Sequence, residues 1–367
     1  MPASEAGASC RGGAPVSCRL LLAATLLSCA AISNAQLASL HDPREVRLRN
    51  VRQLTFGGDN AEAYWSFDGS RLVFQARRGD MPADQVFVIN ADGTGERQVS
   101  DGRGRCTCAY FLKGDHEIIY SSTAGYSPAA PPPADRSHGY VWPVWPYYAI
   151  YRARVDGSGA RPLLPRRVKP GVPTAYYAEA TVSPDGKRII FTSTMDGDLE
   201  IYSMRADGTD VRRLTNRLGY DGGPYYSPDG KRIVWRAWYP RDAKEREDYL
   251  SLLRQNLVRP TRMEIWVAEA DGTGARQVTR FGAASFAPFF APDGRHIIFS
   301  SNMDDPKGRD FELYLIGVDG AGLERITYGQ QFDSFPMFSP DGKRLVWCSN
   351  RHGRGHQTNV FVADWLP

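Results

Sequence analysis

Four carboxylates stand at repeated distances from a repeated turn. Glu62 and Glu179 lie four residues before Ser66 and Ser183, which open Ser-Phe-Asp-Gly and Ser-Pro-Asp-Gly; Asp221 and Asp333 lie six residues before Ser227 and Ser339. If each turn ends the same kind of strand, these positions recur in one register, and residues two apart on a strand share a side. Carboxylates converging there would take a cation, a basic peptide side chain, or Ca²⁺ through hard oxygen ligands. The competing reading is a solvated rim in which Arg236, Arg262 or Arg309 pairs with them. Tyr140, Trp142, Trp145, Tyr147 and Tyr148 offer a stacking wall for a sugar or peptide, or else pack on the strand that Tyr147 to Tyr151 also spells. His138, with His352 and His356, could bind a transition metal. An enzyme would draw its acid, base and ligands from Glu62, Glu179, His352 and His356.

The elements that carry these residues are read from internal periodicity. TVSPDGKRIIF at 181–191 recurs as YYSPDGKRIVW, FFAPDGRHIIF and MFSPDGKRLVW, with looser copies at 64–74 and 110–120. A second phrase, typified by IYSMRADGTDVRRLT, follows the first five copies. Pro and Gly in the first phrase suit a tight turn, and Asp-Gly-Thr or Asp-Gly-Ser makes a second hairpin. Two hairpins form a four-stranded antiparallel sheet of the size of a propeller blade. Six such sheets predict an all-β, six-bladed propeller over 50–367. The sixth copy stops after its third strand, and VRQLT at 51–55 matches a fourth. That N-terminal strand is expected to complete the last blade and remove a free edge.

The phrases R-x-L-T, S-P-D-G-K-x-I-x-F and I-Y-x-x-x-x-D-G-T together resemble the propeller repeats of TolB. The resemblance covers residues 50–367. It implies an envelope protein that binds a protein or peptide, with a lipoprotein of the Pal type as the partner. TolB's N-terminal α/β domain is not expected here, since only 36–49 separate a leader from the first strand. No G-x-S-x-G elbow accompanies the repeats, as it would in the peptidases that share them. The leading function is therefore a binding scaffold; the alternative is a metal-assisted lyase or hydrolase acting on an extracellular polymer.

The connections locate the site. Turns within hairpins fall on one side of the ring, whereas strand 2–3 links and blade-to-blade links fall on the other. The insertions at 122–147 and 240–261 lie on that second side, and long loops on a rigid scaffold are where binding concentrates. Glu62, Glu179, Asp221, Asp333, Tyr140, Trp142 and Arg262 are the expected ligand contacts. Leu250, Leu253 and Leu257 predict an amphipathic helix that caps the ring.

Arg11 and Arg19 precede an apolar run from Leu20 to Ile32, and Ser33-Asn34-Ala35 suits cleavage, so 1–35 reads as a secretory signal. Cleavage before Cys29 would instead leave a lipid anchor. A periplasmic or secreted monomer is expected. The mature chain keeps Cys106, Cys108 and Cys348, an odd number that argues against a disulfide framework. A net charge of +4 with interspersed signs argues against nucleic acid.

Overall fold

A computed structural model describes residues 40–367 other than 307, 330, 331, 352 and 354–356. The leader reading and the His352 and His356 candidates lie outside the described residues. Residues 41–367 form one compact unit. Among the described residues, six four-stranded antiparallel sheets follow one another in chain order. The first blade takes strands Asp59–Trp65, Arg71–Arg77, Gln85–Asn90 and Arg97–Gln98. The sixth takes Asp333–Phe338, Arg344–Ser349 and Asn359–Trp365, and is completed by Leu48–Gln53 from the N-terminal side. The closing register pairs Leu48 with Trp365 and Gln53 with Phe361. No helix among the described residues is long and apolar enough to cross a membrane.

The repeated phrases have identifiable jobs. In R-x-L-T, the Thr hydroxyl caps the third strand of its own blade. Thr215, Thr279 and Thr327 accept the N–H of Ile201, Ile265 and Leu313, each at 2.8 Å. The Thr279 and Thr327 hydroxyls also donate to buried Glu264 and Glu312, each at 2.6 Å. Thr55, on the closing segment, makes the same bond with the N–H of Val360 at 2.9 Å. Ring closure therefore uses the bond that finishes an ordinary blade.

The Arg of S-P-D-G-K-R joins blades. Arg344 lies over the Trp65 ring of the next blade and donates to the Gly69 carbonyl; Arg232 treats Phe290 and Gly294 alike, and Arg71 does so with Phe111 and Asp115. A guanidinium can stack and donate at once, which Lys cannot match. A buried clamp adds to closure: Arg351 pairs with Glu45 at 2.8 Å and with Asp333 at 2.9 Å.

Candidate functional site

The first strand of every blade carries a bulge near its loop-side end. At each bulge one residue sits in the left-handed region: Glu62, Cys108, Glu179, Gly223, Ala287 and Phe335, with φ between 51° and 61°. For the five non-glycine residues this costs about 1–2 kcal/mol each. A bulge re-aims a side chain, and here all six positions turn toward the lumen. The same six residues line a small cavity of about 20 Å³ at the channel mouth, together with Tyr64, Tyr225 and Arg236.

Two residues further along, Tyr64, Tyr110, Tyr225 and Phe289 meet beneath it. Tyr64 lies 5.8 Å from Tyr225, which crosses the axis from blade 1 to blade 4, and Tyr225 lies 5.3 Å from Phe289. This aromatic layer floors the cavity, so the site is a pocket opening on the loop face.

The four aligned carboxylates separate at the bulge. Glu62 and Glu179 line the pocket. Asp221 and Asp333 turn into their own blades, where Trp235 donates to Asp221 at 2.6 Å and Trp347 to Asp333 at 3.1 Å. Tyr239 also donates to Asp221 at 2.6 Å. Burial pushes the Asp221 carboxyl well up, against the pull of Tyr239 and Trp235. The convergence expected from an alternating strand fails because the extra residue of the bulge breaks the alternation. Gly223 was the sequence signal for it, since a glycine in a strand register marks a backbone that needs positive φ.

Glu179 is ion-paired with Arg236 and accepts the Gly223 N–H at 2.9 Å and the Thr192 hydroxyl at 2.8 Å. The Arg236 guanidinium occupies the space that a Cβ on Gly223 would need. Glu62 has no ion pair among the described residues. Burial pushes its carboxyl up to about 7; a hydrogen bond from the Cys108 thiol lowers it, repulsion from Glu179 raises it, and Arg236 lowers it. Cys108 is itself held well up, by burial first and by both glutamates next. Cys108 as the donor to Glu62 was legible only as a residue sharing the aligned register.

The two long insertions meet above the pocket. Trp142 and Pro143 of the blade 2 insertion pair with Val258 and Leu257 of the blade 4 insertion in a two-stranded ribbon. Trp142 lies 5.4 Å from the Arg236 guanidinium and edge-on to Phe286 at 6.3 Å. It donates to the Tyr140 hydroxyl at 3.0 Å, and Tyr140 is 56% exposed. Trp145, Tyr147 and Tyr126 stack on one another, with Tyr126 and Tyr147 only 4.2 Å apart. The aromatic stretch therefore divides into a roof and a packed stack.

The insertion helix α1 (Ala243–Arg254) is N-capped by Asp242 and buries Tyr249 and Leu252. Leu250 and Leu253 are half-buried against the same cluster, and Leu257 is buried on the ribbon. Arg262 pairs with Glu245 of this helix at 2.9 Å and not with the pocket carboxylates. His138 meets Gln255 at 3.1 Å, a contact between the two insertions. Among the described residues no three His, Cys, Asp or Glu gather as a metal-ligand set.

Residues 257–364 match the family model of the TolB beta propeller domain. An uncharacterized protein of Agrobacterium fabrum is 28% identical over 189 residues, covering 49% of this chain and 56% of that one. A TolB homolog of Chlorobium luteolum is 28% identical over 138 residues, 32% of each chain. The matched stretches thus span 56% and 32% of the lengths of these relatives. The structure of a putative TolB from Agrobacterium tumefaciens superposes with a TM-score of 0.53 at 18% identity, over 86% of this chain and 97% of that one. At that identity the likeness is one of fold.

Proposed function

This chain is a TolB-like β-propeller protein, and from that premise we propose that it is an exported envelope scaffold binding a protein or peptide at its loop face. The observation that carries the reading is the loop-face pocket. It is floored by the Tyr64–Tyr225 layer, roofed in part by the Trp142 ribbon, and holds a Glu62 carboxyl that makes no ion pair among the described residues. A rigid ring supplies the surface without ordering cost, which favours association. A partner similar to TolB's lipoprotein would present a segment to this mouth.

The test is capture from envelope extract by the full chain and by Glu62→Gln. A partner held by the first and lost or weakened in the second supports the reading; identical capture by both removes the pocket from it. Asp221→Ala and Asp333→Ala are poor probes, because both groups hold buried Trp side chains in place.

Glu62 also supports a second reading, a lyase or hydrolase on an extracellular polymer. A carboxyl ionising near the working pH is suited to general acid–base catalysis. Stoichiometric zinc, manganese or iron in purified protein would favour this reading. A Ca²⁺ site in the mouth would show as heat on titration and a raised melting temperature.

A further inference from the structure

The link between blades 2 and 3 carries a charge that its surroundings leave unanswered. Between Asp156 and Glu179 the chain has Arg161, Arg166, Arg167 and Lys169 and no carboxylate. Arg166, Arg167 and Lys169 are exposed and make no ion pair among the described residues. Asp207, which feels the charge of Arg166, accepts the Thr209 N–H at 2.9 Å and the Thr209 hydroxyl at 2.6 Å. The segment is held in one shape. Lys169-Pro170-Gly171-Val172 is a tight turn, in which the Val172 N–H donates to the Lys169 carbonyl at 3.1 Å and Gly171 takes a φ of 70°. Pro at the second position and Gly at the third are the residues such a turn requires. Val172 is 48% exposed at its tip, with exposed Pro170 and Pro173 on either side, and a Cβ on Gly171 would meet nothing within 4 Å. Behind the tip, the Gly171 N–H donates to the Tyr126 carbonyl at 2.9 Å and the Thr174 N–H to the Pro146 carbonyl at 2.6 Å. Tyr126 stacks on Tyr147 and Tyr147 on Trp145, all three half-buried. As a blade-to-blade link, the segment belongs to the loop face.

We propose that this turn is a docking surface for an anionic lipid membrane. Arg166, Arg167 and Lys169 lie against the headgroup phosphates, and the Val172 tip enters the interface between them. The Tyr126 stack behind the tip sits at headgroup level, where amphipathic rings concentrate. Two features favour a lipid surface over an acidic protein segment. No hydrogen bond among the described residues fixes the three cationic side chains, so they make a diffuse field and not a preformed carboxylate clamp. The apolar tip stands exposed among the charges, and no groove beside them would receive a peptide. A net charge of +4 with interspersed signs is too small to hold the whole molecule at such a surface, so the attraction is local. The inference goes beyond the scaffold reading, because it concerns the rim of blade 2 and not the channel mouth.

The test is co-sedimentation of the full chain with vesicles of phosphatidylglycerol and phosphatidylcholine in equal parts, against vesicles of phosphatidylcholine alone. Stronger binding to the anionic vesicles is expected at low salt, falling as added salt shortens the reach of exposed charges. At about fivefold for each cation near the surface, Arg166→Gln/Arg167→Gln/Lys169→Gln should lower affinity for the anionic vesicles by about a hundredfold. Val172→Ser keeps the charge and should weaken binding by about threefold or more through loss of the apolar tip. Lys187→Gln/Lys231→Gln/Lys343→Gln removes the same charge from exposed positions on the turn face, and should leave binding within about twofold. Residues 1–39 are common to every variant and cancel in the comparison. All the replaced side chains are exposed, so melting temperatures should not move. Equal binding to the two kinds of vesicle, equal loss in the two charge variants, or binding unmoved by Val172→Ser overturns the inference. Retention on an immobilised oligoglutamate peptide without binding to anionic vesicles also overturns it, and assigns the surface to an acidic protein segment. Each of these results leaves capture at the channel mouth, which Glu62→Gln tests, as a separate question.

Discussion

Replacing Glu62 by Gln keeps the size of the side chain and removes the one pocket charge without a counter-ion among the described residues. The carboxyl is pushed from 4.5 to about 7, first by burial. The other titratable and charged groups that face it are Cys108, Glu179, Arg236, Asp84, Tyr64 and Tyr225. Between these two values the folded protein holds a proton that the unfolded chain has released. Stability contributed by this site is therefore intact below pH 4.5 and falls as pH rises toward 7. At about 1.36 kcal/mol for each tenfold in acidity, the displacement amounts to about 3 kcal/mol above pH 7. Glu62 is half-buried, which reduces that to about 1–3 kcal/mol. Urea titrations of both proteins from pH 4 to pH 8 are the assay. The variant should be more stable than the natural protein at pH 8 by that amount, and the difference should vanish near pH 4.5. Parallel curves across the range, or a variant less stable at pH 8, would refute the electrostatic account of the pocket.

Arg351→Met should destabilise by about 3–5 kcal/mol in urea, because Glu45 and Asp333 are left buried without a cation. Proteolysis of the closing strand at Arg49 or Arg52 should then precede cleavage elsewhere. Ala287→Gly should raise stability by about 0.5–1 kcal/mol, since relief of the left-handed strain exceeds the added freedom of the unfolded chain. Gly223→Ala, in the same register, should lose stability because its Cβ meets the Arg236 guanidinium; thermal melts of the pair read both signs. Thr279→Val should cost about 2 kcal/mol in melting experiments by orphaning the Ile265 N–H and a Glu264 oxygen, with Thr279→Ser closer to the natural protein.

The blade was legible because its turns are written in residue types that few other conformations accept. Pro184 and Gly186 fix one hairpin and Asp207-Gly208-Thr209 the other, and repetition turned weak local signals into a ring. Closure was legible for the same reason: VRQLT has the Thr55 that an ordinary blade needs. The strand itself begins earlier than that phrase, at Leu48. The site was less legible. Period-two reasoning placed Asp221 and Asp333 with Glu62 and Glu179, and a bulge at φ near +57° separated them. Bulges leave little trace in sequence unless the extra residue is glycine, and only Gly223 was. The pairing of the insertions at Trp142 and Val258 was illegible, because a contact 116 residues apart has no local pattern. Arg262 was expected as a partner of the mouth carboxylates or as a ligand contact, and it is held by Glu245 of the insertion helix.

The central claim is that the loop face, and not the turn face, meets the partner. A photoactivatable residue placed at Tyr140 on the loop face, or at Thr273 on the turn face, tests it in intact cells. The account predicts crosslinking of an envelope protein from position 140, reduced by Glu62→Gln, and none from position 273. Crosslinking from position 273 with none from position 140 would contradict it.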